Sequence, residues 1–237
     1  MKSTNSVLFP QKFSFFSIFD KSPYHYLLFC VFMNIVLATR NRKKVEEIGR
    51  VFKGYEVCFL TLDAFPGCPE VEEDGATFRQ NALKKAVSVA KFTGCPAIAD
   101  DSGLEVRALG GAPGIFSARF AGKDADDRKN LMKLLREMKG LEGEDREARF
   151  VCCIAIAFPD GSYKTFTGYT KGEIAKKPKG FNGFGYDPVF YPAGYDLTFA
   201  QMTASEKDRL SHRGKALKKL YIYLKNQFFI HDRNDLL

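Results

Sequence analysis

The chain has 237 residues, of which 45% are hydrophobic and 27% charged, and its formal net charge is +8. This length and composition suit one large domain, or two lobes, with a sizeable core. Its six cysteines form no C-x-x-C pair and have no histidine at zinc spacing, which argues against a zinc cluster or a disulfide framework and favours a reducing, intracellular setting. The positive charge favours an anionic partner, although lysines spread over helix faces also serve solubility.

Residues 1–32 differ from the rest, being rich in Phe, Ser and Tyr without a clear period. The apolar run at 27–37 is too short to span a membrane, so we expect no membrane partner. A secretory signal is an alternative for this region, but it would be poorly formed and has no convincing small-residue cleavage site. Because Asn34-Ile35-Val36-Leu37-Ala38 already has the pattern of a core strand, we predict that 1–32 is an extension, that Met33 is the true start, and that 33–237 forms a single domain.

The first strand leads into a basic segment, Thr39-Arg40-Asn41-Arg42-Lys43-Lys44. Thr39 or Asn41 can cap a helix over about 43–52, and a second short strand is expected at 57–60. Junctions between a strand and a helix N-terminus attract anions. The segment is therefore a candidate phosphate-binding turn.

A long helix is predicted from a cap at Thr77 to about residue 92, after the acidic run 70–75. Its buried stripe comprises Phe78, Ala82, Ala86, Val89 and Ala90, with Lys84 and Lys85 expected on other faces. The acidic run is either a solvated loop or a loop that faces a metal ion.

Two adjacent carboxylates, Asp100 and Asp101, follow the apolar strand 97–99 and precede the small residues Ser102 and Gly103, which we expect to form a turn. Open α/β sheets bind their ligands at the carboxyl ends of strands. Paired acids in such a turn are typical of a metal site, and a solvated acidic pair is the alternative.

The remaining pattern predicts a helix at 126–139, an antiparallel hairpin of 150–158 and 163–169, and a final helix from the capping residue Ser211 to about residue 228. Between them, the glycine-rich segment 179–187 permits close backbone approach and suits a ligand lid or floor. The alternation of strands and helices indicates an α/β fold.

Neither G-x-x-x-x-G-K-[ST] nor a strand-associated G-x-G-x-x-G occurs, which excludes ordinary P-loop and Rossmann sites. A triphosphate would still need several cations, for which Lys44, Lys85, Lys207 and Arg213 are candidates. Mg²⁺ prefers carboxylate oxygens, which Asp101 and either Glu72 or Glu73 could supply. Three further roles stay open: His212 contacts a ligand or backbone, Phe184 and Tyr186 stack on a base or pack their loop, and Ser102 contacts phosphate or caps a turn.

Taken together, these motifs resemble the inosine/xanthosine triphosphate pyrophosphatase family over about residues 33–224. The matching segments are 39–44, 72–78, Asn81 with Lys85, 99–104, 110–119, 183–188, 205–207 and 211–214. Arg40 departs from the pattern, in which many relatives have a small residue, and the 32-residue extension lies outside it.

The resemblance implies an elongated, two-lobed α/β fold with a central mixed β-sheet flanked by helices and a cleft between the lobes, in a cytoplasmic homodimer. It implies Mg²⁺-dependent hydrolysis of ITP, dITP and XTP to the monophosphate and pyrophosphate, which keeps these nucleotides out of DNA and RNA. By position, Asp101 would activate water and hold the metal with Glu72, beside Glu73, and Asp100 would support the site. The substrate would contact Thr39, Arg40, Asn41, Arg42, Lys43, Lys44, Lys85 and Ser102 through phosphates and ribose, and Phe184, Gly185, Tyr186, Asp187, Lys207, His212 and Arg213 through the base.

Two alternatives to this function remain. One is a pyrophosphatase for other modified nucleotides, which the substrate profile would distinguish. The other is a nucleic-acid-binding module that uses the basic surface, which would bind polynucleotides with a steep salt dependence and no turnover. No aromatic RNA-binding signature or helix-turn-helix pattern supports the second, so we expect no stable nucleic-acid complex.

Overall fold

A computed structural model describes residues 33–55 and 57–228, so the prediction for residues 1–32 lies outside the described residues. The strands are β1 (Met33–Leu37), β2 (Val57–Thr61), β3 (Ala97–Val106), β4 (Glu147–Ala157), β5 (Tyr163–Ile174) and β6 (Phe190–Pro192). The helices are α1 (Arg42–Val51), α2 (Phe78–Thr93), α3 (Asp127–Glu137), α4 (Ala204–Leu210) and α5 (His212–Phe228). No helix in this described part is long and apolar enough to cross a membrane.

The strands form one six-stranded mixed sheet in the order β2-β1-β3-β4-β5-β6. Strand β1 is parallel to both β2 and β3, whereas β3, β4, β5 and β6 pair antiparallel in succession. Helix α2 packs on one face of the sheet, and α1 and α5 pack on the other. The predicted α/β fold with a central mixed sheet flanked by helices is therefore confirmed.

The prediction that the third strand ends at residue 99 is wrong. Strand β3 continues to Val106, and every residue from Ala97 to Val106 has a partner on β4. Its pairing with β1 covers only Val36 with Ala97 and Leu37 with Ile98. The two aspartates thus lie within an antiparallel ladder, just beyond the point where the parallel pairing ends.

Gly103 is required in this ladder for a packing reason rather than for a turn. A Cβ at Gly103 would lie 2.4 Å from both the Gly114 carbonyl oxygen and Ser117 Oγ. Ser117 Oγ accepts the Leu104 N–H at 2.9 Å and donates to the Gly114 oxygen. Small residues at this place in the sequence therefore mark a close contact between β3 and the 3₁₀ helix Gly114–Arg119.

Most predicted caps are present. Asn41 Oδ1 accepts the N–H groups of Lys43 and Lys44, and Thr77 Oγ1 accepts the Gln80 N–H. The short helix α4 was not predicted, although Thr203 and Glu206 form a capping box at its start. The T-x-x-E spacing was the available signal.

Arg146 is a buried cation whose guanidinium contacts only backbone carbonyls among the bonds described. It donates to the carbonyl oxygens of Met138, Leu141, Ile174 and Ala175 at 2.6–3.1 Å. These bonds join the end of α3 to the end of β5 through one side chain.

We expect Arg146→Ala to lower the free energy of unfolding by about 2–4 kcal/mol, because buried carbonyls lose their donor. Urea unfolding followed by circular dichroism measures this change. Arg107→Ala is the matched control, because Arg107 is exposed and forms only surface ion pairs with Glu144 and Glu147; it should change the free energy by less than about 1 kcal/mol. Equal losses in the two variants would contradict the role assigned to Arg146.

Candidate functional site

A cavity of about 330 Å³ opens where the parallel pairing of β1 and β3 ends. Its walls come from the turn after β1, the loop before α2, strand β3, the segment 184–187, and helices α4 and α5. Of the predicted site residues, the lining includes Thr39, Arg40, Asn41, Lys44, Lys85, Asp101, Ser102, Phe184, Gly185, Tyr186, Asp187, Lys207, His212 and Arg213.

Four predicted residues lie outside this lining: Arg42, Lys43, Glu72 and the supporting Asp100. Lys43 is exposed and pairs with Asp127 at 3.3 Å, with its Nζ over the Phe184 ring, 5.5 Å from the ring centre. Glu72 is exposed, whereas its neighbour Glu73 lines the cavity. The structure therefore brings Glu73, and not Glu72, to Asp101's side of the cavity.

Asp100 and Asp101 do not form a joint carboxylate site. Successive side chains of a strand point to opposite faces of the sheet, and both residues lie inside β3. Asp101 faces α2, where it accepts a hydrogen bond from Asn81. Asp100 faces α1 and α5, where it meets Lys44 and Arg213. Each carboxylate therefore has its own partners and its own role.

Asp101 is a buried carboxylate with a perturbed pKa. Its Oδ2 accepts the Asn81 Nδ2–H at 3.0 Å, and its Oδ1 accepts the Ser102 N–H at 3.0 Å. Burial raises the pKa of Asp101 to about 6; the nearby Glu73 adds to this rise, while Lys85 and Asn81 oppose it. Such a value is typical of a group that exchanges protons near neutral pH.

Lys85 connects helix α2 to strand β3 and to the loop that carries Glu73. It was expected away from the buried stripe of α2, but it is 9% exposed. Its Nζ donates to Glu73 Oε1 and to the Asp100 carbonyl oxygen, both at 2.7 Å. The prediction that Lys85 lies away from the buried face of α2 was wrong. The ion pair and the bond to the backbone compensate the cost of burying its charge.

Arg213 is the centre of a second, largely buried set of charges. Its Nε and one Nη donate to Asp100 Oδ2 at 3.2 and 3.0 Å, and the other Nη donates to Glu47 Oε2. Lys44 also pairs with Asp100 Oδ2, at 3.1 Å. Burial alone would raise the pKa of Asp100, but Lys44 and Arg213 hold it well below its usual range. Asp100 is therefore a permanent negative charge that orients two cations.

Glu47 extends this set to Lys207. The Lys207 Nζ donates to Glu47 Oε1 at 2.8 Å and to Asp187 Oδ2 at 2.5 Å. The same Asp187 oxygen accepts the Phe184 N–H at 2.8 Å. Although burial opposes it, the facing carboxylates raise the pKa of Lys207 above its usual value. Three acids and three bases thus connect α1, β3, α4 and α5 with the segment 184–187.

Phe184 lies against the cations of this set. Lys207 Nζ is 4.9 Å and the Arg213 guanidinium carbon is 5.5 Å from the centre of its ring. These distances suit cation–π attraction. Tyr186, by contrast, is 4% exposed and donates its hydroxyl hydrogen to the Ser117 carbonyl oxygen, so its ring packs in the core and is not free to stack.

His212 is the first residue of α5, and its ring stacks on Phe150 with centres 4.5 Å apart. Burial, together with the charges of Arg213 and Lys207, lowers the pKa of His212 well below its usual value. Its Nδ1 is buried and has no hydrogen-bond partner in the described part of the chain. The cavity therefore contains a neutral imidazole beside two fixed cations.

Glu47 was missed by the sequence analysis. It lies three residues after Lys44, so helical spacing places the two side chains on the same side of α1. An acidic residue on the same side of the helix as Lys44, near other basic residues predicted at the site, was the signal that could have identified Glu47.

Glu47→Gln tests this set of charges. Arg213 and Lys207 lower the pKa of Glu47 against the effect of burial, so the unfolded chain binds a proton at higher pH than the folded chain does. The carboxylate therefore stabilises the fold above about pH 4.3, and this contribution is lost as the pH falls.

We expect Glu47→Gln to reduce the free energy of unfolding by about 3 kcal/mol at pH 7, with the difference from the unmodified protein shrinking between pH 5 and pH 3. Urea unfolding at several pH values measures both effects. Glu46→Gln is the control, because Glu46 is the exposed neighbour of Glu47. A difference that stays constant with pH would contradict the assignment.

The fold and the cavity together define an α/β protein with a charged ligand cavity at the end of its parallel strands. The chain belongs to the Ham1 family, whose model matches residues 35–223. A relative from Desulforamulus reducens, named dITP/XTP pyrophosphatase, is 52% identical over 201 residues, covering 84% of this chain and 98% of that protein. A Bacillus subtilis protein of the same name is 46% identical over 187 residues, covering 78% of this chain and 93% of the relative.

Solved structures agree with this assignment. A HAM1 protein from Coxiella burnetii is 42% identical with a TM-score of 0.76, covering 82% of this chain and 99% of that chain. A structure described as nucleoside-triphosphatase / dITP/XTP pyrophosphatase from Mycobacterium abscessus is 45% identical with a TM-score of 0.66, covering 79% and 98%. The resemblance noted from the sequence is therefore confirmed.

Proposed function

We propose that this protein hydrolyses the triphosphates of non-standard purines, namely ITP, dITP and XTP, to the monophosphate and pyrophosphate, and so keeps them out of DNA and RNA. The observation that carries the proposal is the cavity itself, in which a proton-accepting carboxylate, Asp101, lies among fixed cations. Relatives that match nearly their whole length to this chain and are named dITP/XTP pyrophosphatase support the substrate class.

The phosphates are proposed to lie between the turn after β1 and helix α2. Thr39, Arg40, Asn41 and Lys44 form one wall of the cavity and Lys85 part of the opposite wall, with Ser102 between them. Lysine and arginine near a polyphosphate offset its charge and form charge-assisted hydrogen bonds. The exposed Arg42 and Lys43 would act at longer range, through the field of the basic surface.

Asp101 is proposed to be the catalytic base. It accepts a proton from water, whose oxygen forms a bond to the α-phosphorus as the bond to the bridging oxygen breaks and pyrophosphate leaves. A base whose pKa of about 6 lies near the operating pH is mostly ionised and still holds a proton well enough to assist the attack. Lys85, beside Glu73 and the Asp100 carbonyl, would offset charge that develops on the phosphates.

The residues fit a Mg²⁺ ion that binds together with substrate. The part of the chain that the structure describes contains no group of three or more His, Cys, Asp or Glu side chains that could hold a metal. Mg²⁺ is commonly held by one or two carboxylates plus substrate phosphates, and Asp101 with Glu73 offers such a pair. Glu73 raises the pKa of Asp101, which indicates that the two carboxylates lie close enough to repel each other. A divalent cation bound between them would remove this repulsion. Bound there, Mg²⁺ would neutralise phosphate charge.

Selection of the base is proposed to rest on Lys207, Arg213 and His212. Within the described chain, Arg213 uses four of its five N–H groups, one for each of four bonds, and Lys207 uses two of three. Each cation thus keeps one donor, which suits the 6-oxo group of hypoxanthine or xanthine. Adenine has an amino donor there and would leave these groups unpaired, at a cost of about 1–3 kcal/mol. Phe184, whose N–H donates to Asp187, and Gly185, whose N–H donates to Asp127, would cover the base, and the buried Tyr186 would hold this segment through its bond to Ser117.

The homodimer and the cytoplasmic setting remain part of the proposal. The family resemblance supports the dimer, and the cysteine pattern supports a reducing compartment. A pyrophosphatase for other modified nucleotides is the second candidate, because the same carboxylate and cations would serve any triphosphate that the base-binding wall admits.

The first test measures Mg²⁺-dependent release of pyrophosphate from ITP, dITP, XTP, ATP, GTP and CTP by the full-length chain. We expect release from the first three, and a loss of about 10²- to 10⁴-fold in kcat in Asp101→Asn, because the base is gone. Modified pyrimidine triphosphates are added to the panel, and release from those alone would favour the second candidate. Tight, salt-dependent binding of polynucleotide without turnover would instead favour a nucleic-acid-binding module.

A second test separates the two neighbouring glutamates. We expect Glu73→Gln to raise the Mg²⁺ concentration for half-maximal activity at least tenfold, because Glu73 lines the cavity and Glu72 does not. Glu72→Gln is the matched control and should stay within about twofold. A larger effect at Glu72 would show that the loop rearranges when substrate binds and would restore the expectation drawn from the sequence.

A further inference from the structure

Asn81 contacts two parts of the site at once, although it does not line the cavity. It lies in the first turns of α2 and is fully buried. Its Nδ2 donates to Asp101 Oδ2 at 3.0 Å, and its Oδ1 accepts the Gly75 N–H at 2.7 Å. One amide thus joins the proposed catalytic base to the loop that carries Glu73.

The two partners determine the orientation of this amide. Ionised Asp101 can only accept hydrogen bonds, and a backbone N–H can only donate one. The Nδ2 side must therefore face Asp101, and the Oδ1 side must face Gly75. A flipped amide would leave the carboxylate opposite an oxygen and the N–H opposite a hydrogen.

The loop is built to accept this contact. A Cβ at Gly75 would lie 2.6 Å from Asn81 Oδ1, so any other residue there would displace the amide. Arg119 Nη donates to the Glu73 carbonyl oxygen at 3.0 Å, and Gln80 Oε1 accepts the Ala76 N–H at 2.8 Å. The loop is therefore held at several points, and only Asn81 among these side chains also contacts Asp101.

We propose that Asn81 is a positioning residue that sets the direction of the Asp101 carboxylate and the distance between Asp101 and the Glu73 loop. The proposal rests on the proposed function. Asp101 Oδ2 is directed to Asn81, and Oδ1 is directed to the Ser102 N–H, so the carboxyl plane is fixed from both sides. Loss of the Asn81 donor frees the carboxylate to rotate away from the reacting water without removing any group that binds nucleotide.

The experiment uses the full-length chain and the variant Asn81→Asp, which keeps the shape and an acceptor for the Gly75 N–H but removes the donor to Asp101. A carboxylate at position 81 either faces Asp101 as a second negative charge, which repels it, or shares one proton with it, which occupies the base; in both cases Asp101 loses the amide donor that directs it while leaving it free to accept a proton. We expect kcat for ITP to fall at least tenfold, with KM within about threefold and with ITP binding in EDTA, measured by calorimetry, unchanged. A purely structural role would weaken binding and turnover together.

Gln80→Ala is the matched control, because it removes the neighbouring acceptor for the same loop without touching Asp101; its kcat should stay within about twofold.

Gly75→Ala disturbs the amide from the loop side and should also lower kcat. If Asn81→Asp does not unfold cooperatively, Gly75→Ala decides the matter. A folded Asn81→Asp with unchanged kcat, or an equal loss in Gln80→Ala, would overturn the proposal. An unmodified chain that releases no pyrophosphate would instead overturn the proposed function.

Discussion

The contact in which two N–H groups of Arg213 converge on Asp100 Oδ2 is the interaction on which the site depends, since both groups are buried and neither could be tolerated alone. Removing two charges from water costs several kcal/mol for each ion, and only good geometry with further hydrogen bonds returns that cost. Asp100 meets part of this requirement, because its Oδ2 also accepts from Lys44, while its buried Oδ1 has no partner in the described part of the chain; Arg213 meets it by donating to Glu47 and Ser102. The ion pairs therefore fix helix α5, strand β3 and helix α1 relative to one another. They do so beside a cavity, where apolar side chains cannot pack to hold these elements together.

The pleat of β3 explains how two adjacent aspartates come to do different work. Asp100 is surrounded by cations and its pKa is depressed, whereas Asp101 is buried near Glu73 and its pKa is raised. Because successive side chains of a strand point to opposite faces, two adjacent residues reach these opposite environments on the two sides of the sheet. The same alternation lets Lys85 approach from the α2 side and still bond to the Asp100 carbonyl oxygen, which lies in the plane of the ladder. One strand therefore supplies both a proton acceptor and a fixed counter-charge.

Much of this arrangement could be predicted from the sequence, because apolar periodicity and capping residues act locally. The strand at 34–38, the cap at Thr77 and the stripe of α2 all follow from spacing that the chain itself displays. The extent of β3 could not be predicted, since the residues after Asp101 are held by β4, about 50 positions further along the chain. The burial of Lys85 could not be predicted either, because a charged residue is placed inside only by partners that the fold supplies.

The wrong face predicted for Lys85 and the omission of Glu47 share one physical cause. Local rules assign a charged residue to the surface, so they fail where tertiary contacts compensate a buried charge, and such compensation is concentrated at sites that bind charged ligands. Arg213 and the five acids and bases paired with it directly or through Glu47, all buried except the half-buried Lys44, balance one another, so they create a frame without net charge. The N–H groups that remain on Lys207 and Arg213 are held in place before a ligand arrives, and a preorganised donor loses little entropy on binding. In the proposed function, selectivity between a 6-oxo and a 6-amino purine would depend on donors that cannot turn away from the wrong base, and a buried frame holds donors in that way.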